Sequence, residues 1–515
     1  MRIAPAVVGL LVLASSTGAK LRTEWNYMDV SGTTKAYSMA LDPDGDAWLA
    51  GSLRLSSDGK AQAIITFRHT ASMINWSVSV LGTGGATQWE DGARSIVCDA
   101  STKTLVAGGT RWSGAGTQAD GWLARIDLSS SLIEMWAGTV LTAPYIDAVY
   151  AVALASNGNI YAAGRRGNLK GNGDLWVGRF TGSGLRISEL TEPNFWRVDD
   201  AATAIKVDPS GSFIYVGGYR TNTVSGRKEA WVAKYTADLN PAAPGTWKKS
   251  YPRPASSTGY VSALALDPSG SIWVAGAVTA SHSALPPRKD VYVAKLDGTT
   301  GDVLWSRTVD GGQNGDDEAL SIWMDASGTA YVGGYVNRPG LGDTLAVGWL
   351  ARFGPDGTTV WQEDLAGPGP DSGRDDRVTA FFPDGTGGYY AAGSTVDRIY
   401  NSHMFARHVR DYPEVPATAP VIGRAHAVPN PFRPGSGGGQ DASAITFLEL
   451  APGATVRIYT MAGALVAELT DSDRDGKASW DVKNKNGRDL VSGIYLYAVK
   501  PETGPVVRGK VVIIR

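Results

Sequence analysis

The densest run of chemistry-bearing residues is "DSDRDGKASWD", in which Asp471, Asp473 and Asp475 precede Gly476. Hard oxygen ligands at alternate positions, followed by a glycine that permits a sharp turn, are the opening of a calcium loop. Its twelfth position is Val482 where such a loop has Glu, and the run reads as part of a hairpin. An acidic surface turn is the ordinary alternative. Ca2+ is the one cofactor these residues suggest.

A second set is spread along the chain. Asp91, Asp147, Asp199, Asp200, Asp316, Asp317, Asp375 and Asp376 each sit just before an apolar run. Arg54, Arg111 and Arg220 share a register after later runs, with Arg165 and Arg166 close by. Paired carboxylates can divide acid and base work in hydrolysis, and Arg/Asp sets can hold a polar ligand. Repeated acids also make turn hydrogen bonds and pairs between neighbouring units. The candidate ligand-binding set is Arg54, Arg111, Arg166, Arg220, Asp91, Asp200, Asp317 and Asp376, and no residue is singled out as catalytic.

Other enzyme signatures fail. The five histidines do not cluster, and His403 and His408 are an odd number of residues apart on one expected strand, so they face opposite sides. The one cysteine, Cys98 in "SIVCDA", reads as a small buried hydrophobe and permits no internal disulfide. The turns "DPDGDAW" and "DPSGSIW" look like sialidase Asp-boxes, but Asp42 and Asp267 lie one residue too far from the glycine.

The elements that must position these residues form a repeat. Seven copies run from an apolar strand ending near Asp, through a small turn, to an apolar strand ending in "AG" or "GG": "YSMALDPDGDAWLAGS" and "VSALALDPSGSIWVAGAV" are two of them. Their glycines are read as Gly51, Gly108, Gly164, Gly217, Gly276, Gly333 and Gly393. A third strand follows each time, carrying Arg68, Arg125, Arg179, Lys234, Lys295, Arg352 or Arg407. Recurrence in every copy argues that these bases are structural partners of first-strand acids such as Asp99, Asp208, Asp267 and Asp325. A fourth strand carries Trp in most copies: Trp76, Trp136, Trp247, Trp305 and Trp361. The third copy has Ser188 or Glu189 near that place, and the seventh lacks a fourth strand. "EWNYMDV", Glu24 to Val30, supplies the missing strand from the other end of the chain.

Four strands per repeat, seven times, predicts an all-β chain built on a seven-bladed β-propeller. With 43% hydrophobic residues, 19% charged and a net charge of −2, the composition excludes disorder and offers no field for nucleic acid. The expected organisation is a secretory signal peptide over 1–19, the propeller over 20–412, a Pro-rich linker over 413–426 and a small β-sandwich over 427–515. No membrane span is expected in the mature chain.

Residues 20 to 412 resemble the bacterial seven-bladed β-propeller repeat family, most closely in "GDVLWSRTVDGGQNGDDEALSIWMDASGTAYVGGYV". Residues 427 to 515, through "VPNPFRPG", "VRIYTMAGALVAEL", "ASWDVKNKNGR", "SGIYLYAV" and the ending "GKVVIIR", resemble the C-terminal sorting domain of the type IX secretion system. They are equally similar to the immunoglobulin-like domain of the hook-capping protein. The propeller resemblance specifies fold and not function; with no catalytic signature in the residues, the first reading is a secreted or cell-surface, non-enzymatic binding or scaffold protein. The implied partners are an extracellular protein or glycan and, for export, the type IX machinery. The alternatives are an extracellular propeller hydrolase acting on carbohydrate through loop-face carboxylates, and a purely structural surface-layer component.

Overall fold

The computed structural model describes 20–412 and 425–515 apart from 29–32, 44, 55–60, 69–74, 80–91, 113–118, 129–132, 142–145, 169–171, 194–197, 252–257, 280–287, 312–314, 339–345, 366–374, 385–387, 397–401, 435–443, 449, 451–452, 462, 473–475 and 502–505. The signal peptide, Asp91, Asp473, Asp475 and nearly all of the linker therefore lie outside the described residues. The chain divides into two units, one chiefly Leu21–Asp411 and the other chiefly Tyr412–Arg515.

The first unit holds seven four-stranded antiparallel sheets among the described residues. Repetition of such sheets is the pattern of a β-propeller. The first strands are Thr33–Leu41, Gly92–Asp99, Ala148–Leu154, Ala201–Val207, Gly259–Leu266, Glu318–Met324 and Arg377–Pro383. Each lies against the first strand of the next sheet, and Arg377–Pro383 lies against Thr33–Leu41, which closes the ring. Hydroxyls stitch the same junctions. Thr379 Oγ1 of the seventh sheet donates to Ala36 O of the first at 3.1 Å, and Ser95 Oγ accepts from Val152 N at 3.1 Å.

The seventh sheet takes its fourth strand from the N-terminal end of the chain. Its order is Lys20–Met28, Ser402–Tyr412, Tyr389–Val396, Arg377–Pro383. The expected pairing of the segment around Trp25 is thus observed, with the strand beginning four residues earlier than the sequence suggests.

Every first strand carries a β-bulge, and the bulge explains the recurrent glycine. A Cβ on Gly51, Gly109, Gly164, Gly218, Gly276, Gly334 or Gly393 would stand 1.8 to 2.2 Å from a first-strand carbonyl oxygen, far inside contact distance. The equivalent residue in the "GG" copies is therefore the second glycine, so Gly109, Gly218 and Gly334 replace Gly108, Gly217 and Gly333 in the alignment.

The same register corrects the row of third-strand bases. Lys295 pairs across from Trp273, three residues before Gly276. The matching place opposite Tyr390 holds His408, not Arg407, and that opposite Trp48 holds Phe67, not Arg68. One-residue offsets of this kind turn a side chain to the other face of the sheet.

Fourth-strand tryptophans latch neighbouring sheets together. Turn glycines with positive φ in the next sheet approach the ring so closely that a Cβ would be 2.7 to 2.8 Å away: Gly184 on Trp136, Gly301 on Trp247 and Gly357 on Trp305. Ser188 occupies the tryptophan register in the third sheet. There the longer turn of the fourth sheet substitutes. Its Leu239 is buried, and Tyr161 donates to Ala237 O at 2.7 Å.

The second unit is a pair of antiparallel sheets. His426–Val428, Ile445–Leu448 and Ala478–Trp480 form one; Leu465–Thr470, Thr455–Thr460, Gly493–Lys500 and Val507–Ile513 form the other. Phe432, Phe447, Val456, Ile458, Trp480, Tyr497 and Val511 fill the space between them. The alternation of "GIYLYAVK" follows from its place, with Tyr495, Tyr497 and Val499 inward and Ile494 and Leu496 outward.

Candidate functional site

The first strands of the seven sheets surround an axial cavity of about 530 Å³. Counting from each bulged residue sorts its wall into levels. The bulged residues themselves are Tyr37, Arg94, Tyr150, Thr203, Ser262, Leu320 and Thr379. The next level is serine or alanine throughout, which leaves room along the axis. Two residues beyond that, at one level, come Lys206, Trp323 and Phe382 among small or aliphatic side chains. No carboxylate lines the cavity among the described residues.

The described acids among those singled out from sequence lie outside this wall, and the structure gives several of them a shared task. Asp147, Asp200, Asp317 and Asp376 are fully buried. Each donates its backbone N–H to the carbonyl at or just before the third strand of the preceding sheet: Ala119 at 2.7 Å, Gly173 at 2.9 Å, Lys289 at 2.7 Å and Ala346 at 2.9 Å. Three of the carboxylates cap the ends of second strands. Asp147 accepts from Gly167 N at 2.6 Å, Asp200 from Thr221 N at 2.7 Å, and Asp317 from Asn337 N at 2.6 Å and Gly311 N at 2.5 Å. Neighbouring acids repeat the motif, since Asp199 accepts from Gly173 N at 2.9 Å and Asp316 from Lys289 N at 3.1 Å. These bonds clasp one sheet to the next. Burial of an acid without such donors would be costly.

The arginines are not gathered. Arg111 donates to Thr139 Oγ1 at 2.8 Å within its own sheet. Arg166 pairs with Glu189 at 3.4 Å, and Arg220 with Asp200 at 3.6 Å and Glu192 at 4.0 Å. The register expected for Arg54 is corrected: it lies three residues after Gly51, whereas Arg111, Arg166 and Arg220 lie two after Gly109, Gly164 and Gly218. Arg111 and Arg166 bond within their own sheets and Arg220 reaches Glu192 of the preceding sheet, so these three do not converge on one pocket.

A polar network does form at the start of the fifth and sixth first strands. Glu318 accepts from Tyr260 at 2.8 Å, Ser262 at 2.9 Å and Tyr335 at 3.2 Å. Lys289 pairs with Asp316 at 3.3 Å, and Arg377 lies over the Tyr335 ring at 4.6 Å. Nearby, Asp290, Asp310 and Asp317 bring carboxylate oxygens within 4.8 Å of one another. Burial first, then the charges of Asp290 and Asp310, push Asp317 up to about 7 against the two backbone donors that favour its charged form.

At the opposite ends of the sheets the third-strand bases meet acids as expected in two cases. Arg125 lies 2.8 Å from Asp99 and Lys295 2.7 Å from Asp267. Lys234 instead donates to Gly298 O at 3.1 Å and lies over the Phe213 ring. Arg179 faces Tyr161, because its sheet has Ala155 where the others have Asp. The expectation of an acid partner for most copies is corrected accordingly.

Cys98 is half-buried: it borders the cavity and packs against the hydrophobic cluster of Ile96, Leu105 and Trp122. Burial, then Asp42 and Asp99, push its thiol up to about 11, so it is protonated at neutral pH and a poor nucleophile. Asp471 is buried, and its Oδ2 accepts from Gly476 N at 3.2 Å and Gly453 N at 3.3 Å, which closes a turn.

No protein-family model matches this chain. No curated protein matches it either. Among solved structures it is similar to PorZ, a bacterial surface component of the type-IX secretion system of Porphyromonas gingivalis. That alignment is 13% identical and covers 95% of this chain and 75% of that one, at a TM-score of 0.24. The β-propeller domain of the Trilobed protease from Pyrococcus furiosus is 11% identical, covering 76% of this chain and 99% of that one, at a TM-score of 0.41. A Dyadobacter fermentans protein of unknown function is 8% identical over 76% of this chain and 99% of its own, at a TM-score of 0.43. Likenesses this distant carry nothing about activity.

The axial residues are what the sequence reading missed. A signal was present: Lys206 in "ATAIKVD" and Arg94 in "ARSIVCD" interrupt apolar first strands. A charge inside such a run has to face solvent or a partner.

Proposed function

We propose that this chain is a secreted or cell-surface binding or scaffold protein without catalytic activity. Its first unit is read as a seven-bladed β-propeller and its second as an immunoglobulin-like domain of the sorting type. The observation that supports a binding role is the division of labour among the acids. Asp147, Asp200 and Asp317 are bound to backbone amides between sheets, whereas the axial cavity is open and has no carboxylate in its described wall. General acid–base hydrolysis needs carboxyl groups within reach of the scissile bond. The test is a glycan array with the secreted chain, followed by product analysis on whatever is retained. Retention without turnover is the expected result.

One observation favours the hydrolase reading: Asp317, raised to about 7 beside Asp290 and Asp310, has the titration behaviour of a general acid. Release of sugar product that disappears in Asp317→Asn while binding persists would establish it.

Export is read into residues 427–515 as a sorting signal for type IX machinery, supported by the compact two-sheet unit and its terminal strand Val507–Ile513. Deletion of 427–515 in the native host, with fractionation, tests this. Periplasmic accumulation is expected, and normal surface delivery of the truncated chain overturns it.

A further inference from the structure

The axial cavity carries two cations for which its described wall holds no carboxylate. Lys206 makes no ion pair or hydrogen bond among the described residues, although it is exposed to the cavity. Its amine is ringed by protein, and that confinement alone pulls it below the usual lysine range. Arg94 is likewise without an ion pair or hydrogen bond among the described residues. Its guanidinium lies 4.1 Å over the Tyr37 ring, and its Nε is buried without an acceptor.

Elsewhere in the first unit Arg125, Lys295, Arg338 and Lys289 have carboxylates within 3.3 Å, and Lys234 and Arg111 have oxygen acceptors. Unpaired cations in a confined space are unfavourable unless a counter-charge arrives. The two stand at different levels, separated by three residues of strand rise, or about 10 Å along the axis. At the level of Lys206 the wall also presents Trp323, 39% exposed, and Phe382. A positive end and an aromatic flank lie together in a volume suited to a small molecule.

We infer that the axial cavity binds a small organic anion, its acidic group held by Lys206, its apolar body packed against Trp323 and Phe382 at the same level, and Arg94 adding positive field from further along the axis. The inference rests on the binding reading above and names the ligand class. The recognition is ionic and stacking; no bond is made or broken.

The test uses the full secreted chain and two fluorescent probes of one shape, the anionic 8-anilinonaphthalene-1-sulfonate and the uncharged N-phenyl-1-naphthylamine. The sulfonate is expected to bind at one site per chain, to weaken with added salt, and to be displaced by citrate but not by glucose. Lys206→Gln is expected to weaken it about tenfold and Arg94→Gln by less, both leaving the neutral probe unchanged. Lys206→Arg keeps the charge and should keep binding, which separates loss of charge from loss of fold; thermal melting of each variant provides the second check. Equal sulfonate affinity in the wild type and the double variant overturns the inference, as does salt-independent binding equal to that of the neutral probe. Turnover of a polysaccharide by the wild type would overturn the non-enzymatic reading instead, and the Lys206→Gln comparison would still decide the anion site.

Discussion

His408 Nε2 lies 3.0 Å from Asp384 Oδ2, with both side chains buried, at the place where the fifth sheet sets Lys295 Nζ 2.7 Å from Asp267 Oδ2. The imidazole also stacks on Tyr390, ring centres 4.1 Å apart and planes 7° from parallel. The seventh sheet thus keeps the base–acid tie of the repeat with a different base, in the blade that the two ends of the first unit complete. His408→Ala and Asp384→Ala are each expected to cost about 2 to 3 kcal/mol in urea unfolding, and the double variant less than their sum. Simple additivity in the cycle would show that the two side chains are not coupled.

The bulge glycines give a sharper test. In Gly276→Ala the new methyl would sit 2.1 Å from Tyr260 O, a backbone atom that cannot swing away. A loss of at least about 2 kcal/mol is expected. Gly138→Ala, with no atom within 4 Å of the added carbon, is the control and should stay within about 0.5 kcal/mol of wild type. Equal melting temperatures for the two variants would remove the steric account of the repeat.

Asp317 makes stability depend on pH. Its native pKa of about 7 lies above the ordinary 3.8, so the native state holds this proton more tightly than the unfolded chain does. The associated stability is complete below about pH 4 and is lost as pH rises through about 7. Asp310→Asn removes one of the repelling charges from an exposed position. The urea midpoint should rise at pH 8 and change little at pH 4. A uniform shift at both pH values would mean that Asp310 acts through something other than this repulsion.

Ring closure depends on Lys20–Met28. Without it, Ser402–Tyr412 becomes an open sheet edge, a template for pairing with another chain. A chain beginning at residue 33 is expected to melt lower and to form oligomers in size-exclusion chromatography. A monomer of unchanged melting temperature would show that the strand contributes nothing to closure.

Much of the architecture was legible because it is repeated. Short apolar strands, Asp-rich turns and Trp-bearing outer strands recur, and recurrence exposes a pattern that no single copy would, down to the borrowed strand around Trp25. The acids before the first strands were legible as a set, but their task was not. Asp200 and Asp317 are capping acids because strand pairing brings Thr221 N and Asn337 N, at the ends of the second strands of their own sheets, to their carboxylates, and the loop from the preceding sheet brings Gly311 N to Asp317.

Register decided the rest. Composition marked Arg407 as the basic residue of the seventh third strand, yet pairing across from Tyr390 gives that place to His408, since a strand turns alternate side chains to opposite faces. The sequence by itself determined that this chain is all-β, repeated and closed by its own N-terminal strand, because local strand and turn preferences agree in copy after copy. Only the tertiary structure decided that Arg94, Lys206 and Trp323, which lie in three separate repeats, face one axial cavity. Ring closure places them around a common axis, and no local pattern encodes what stands across it.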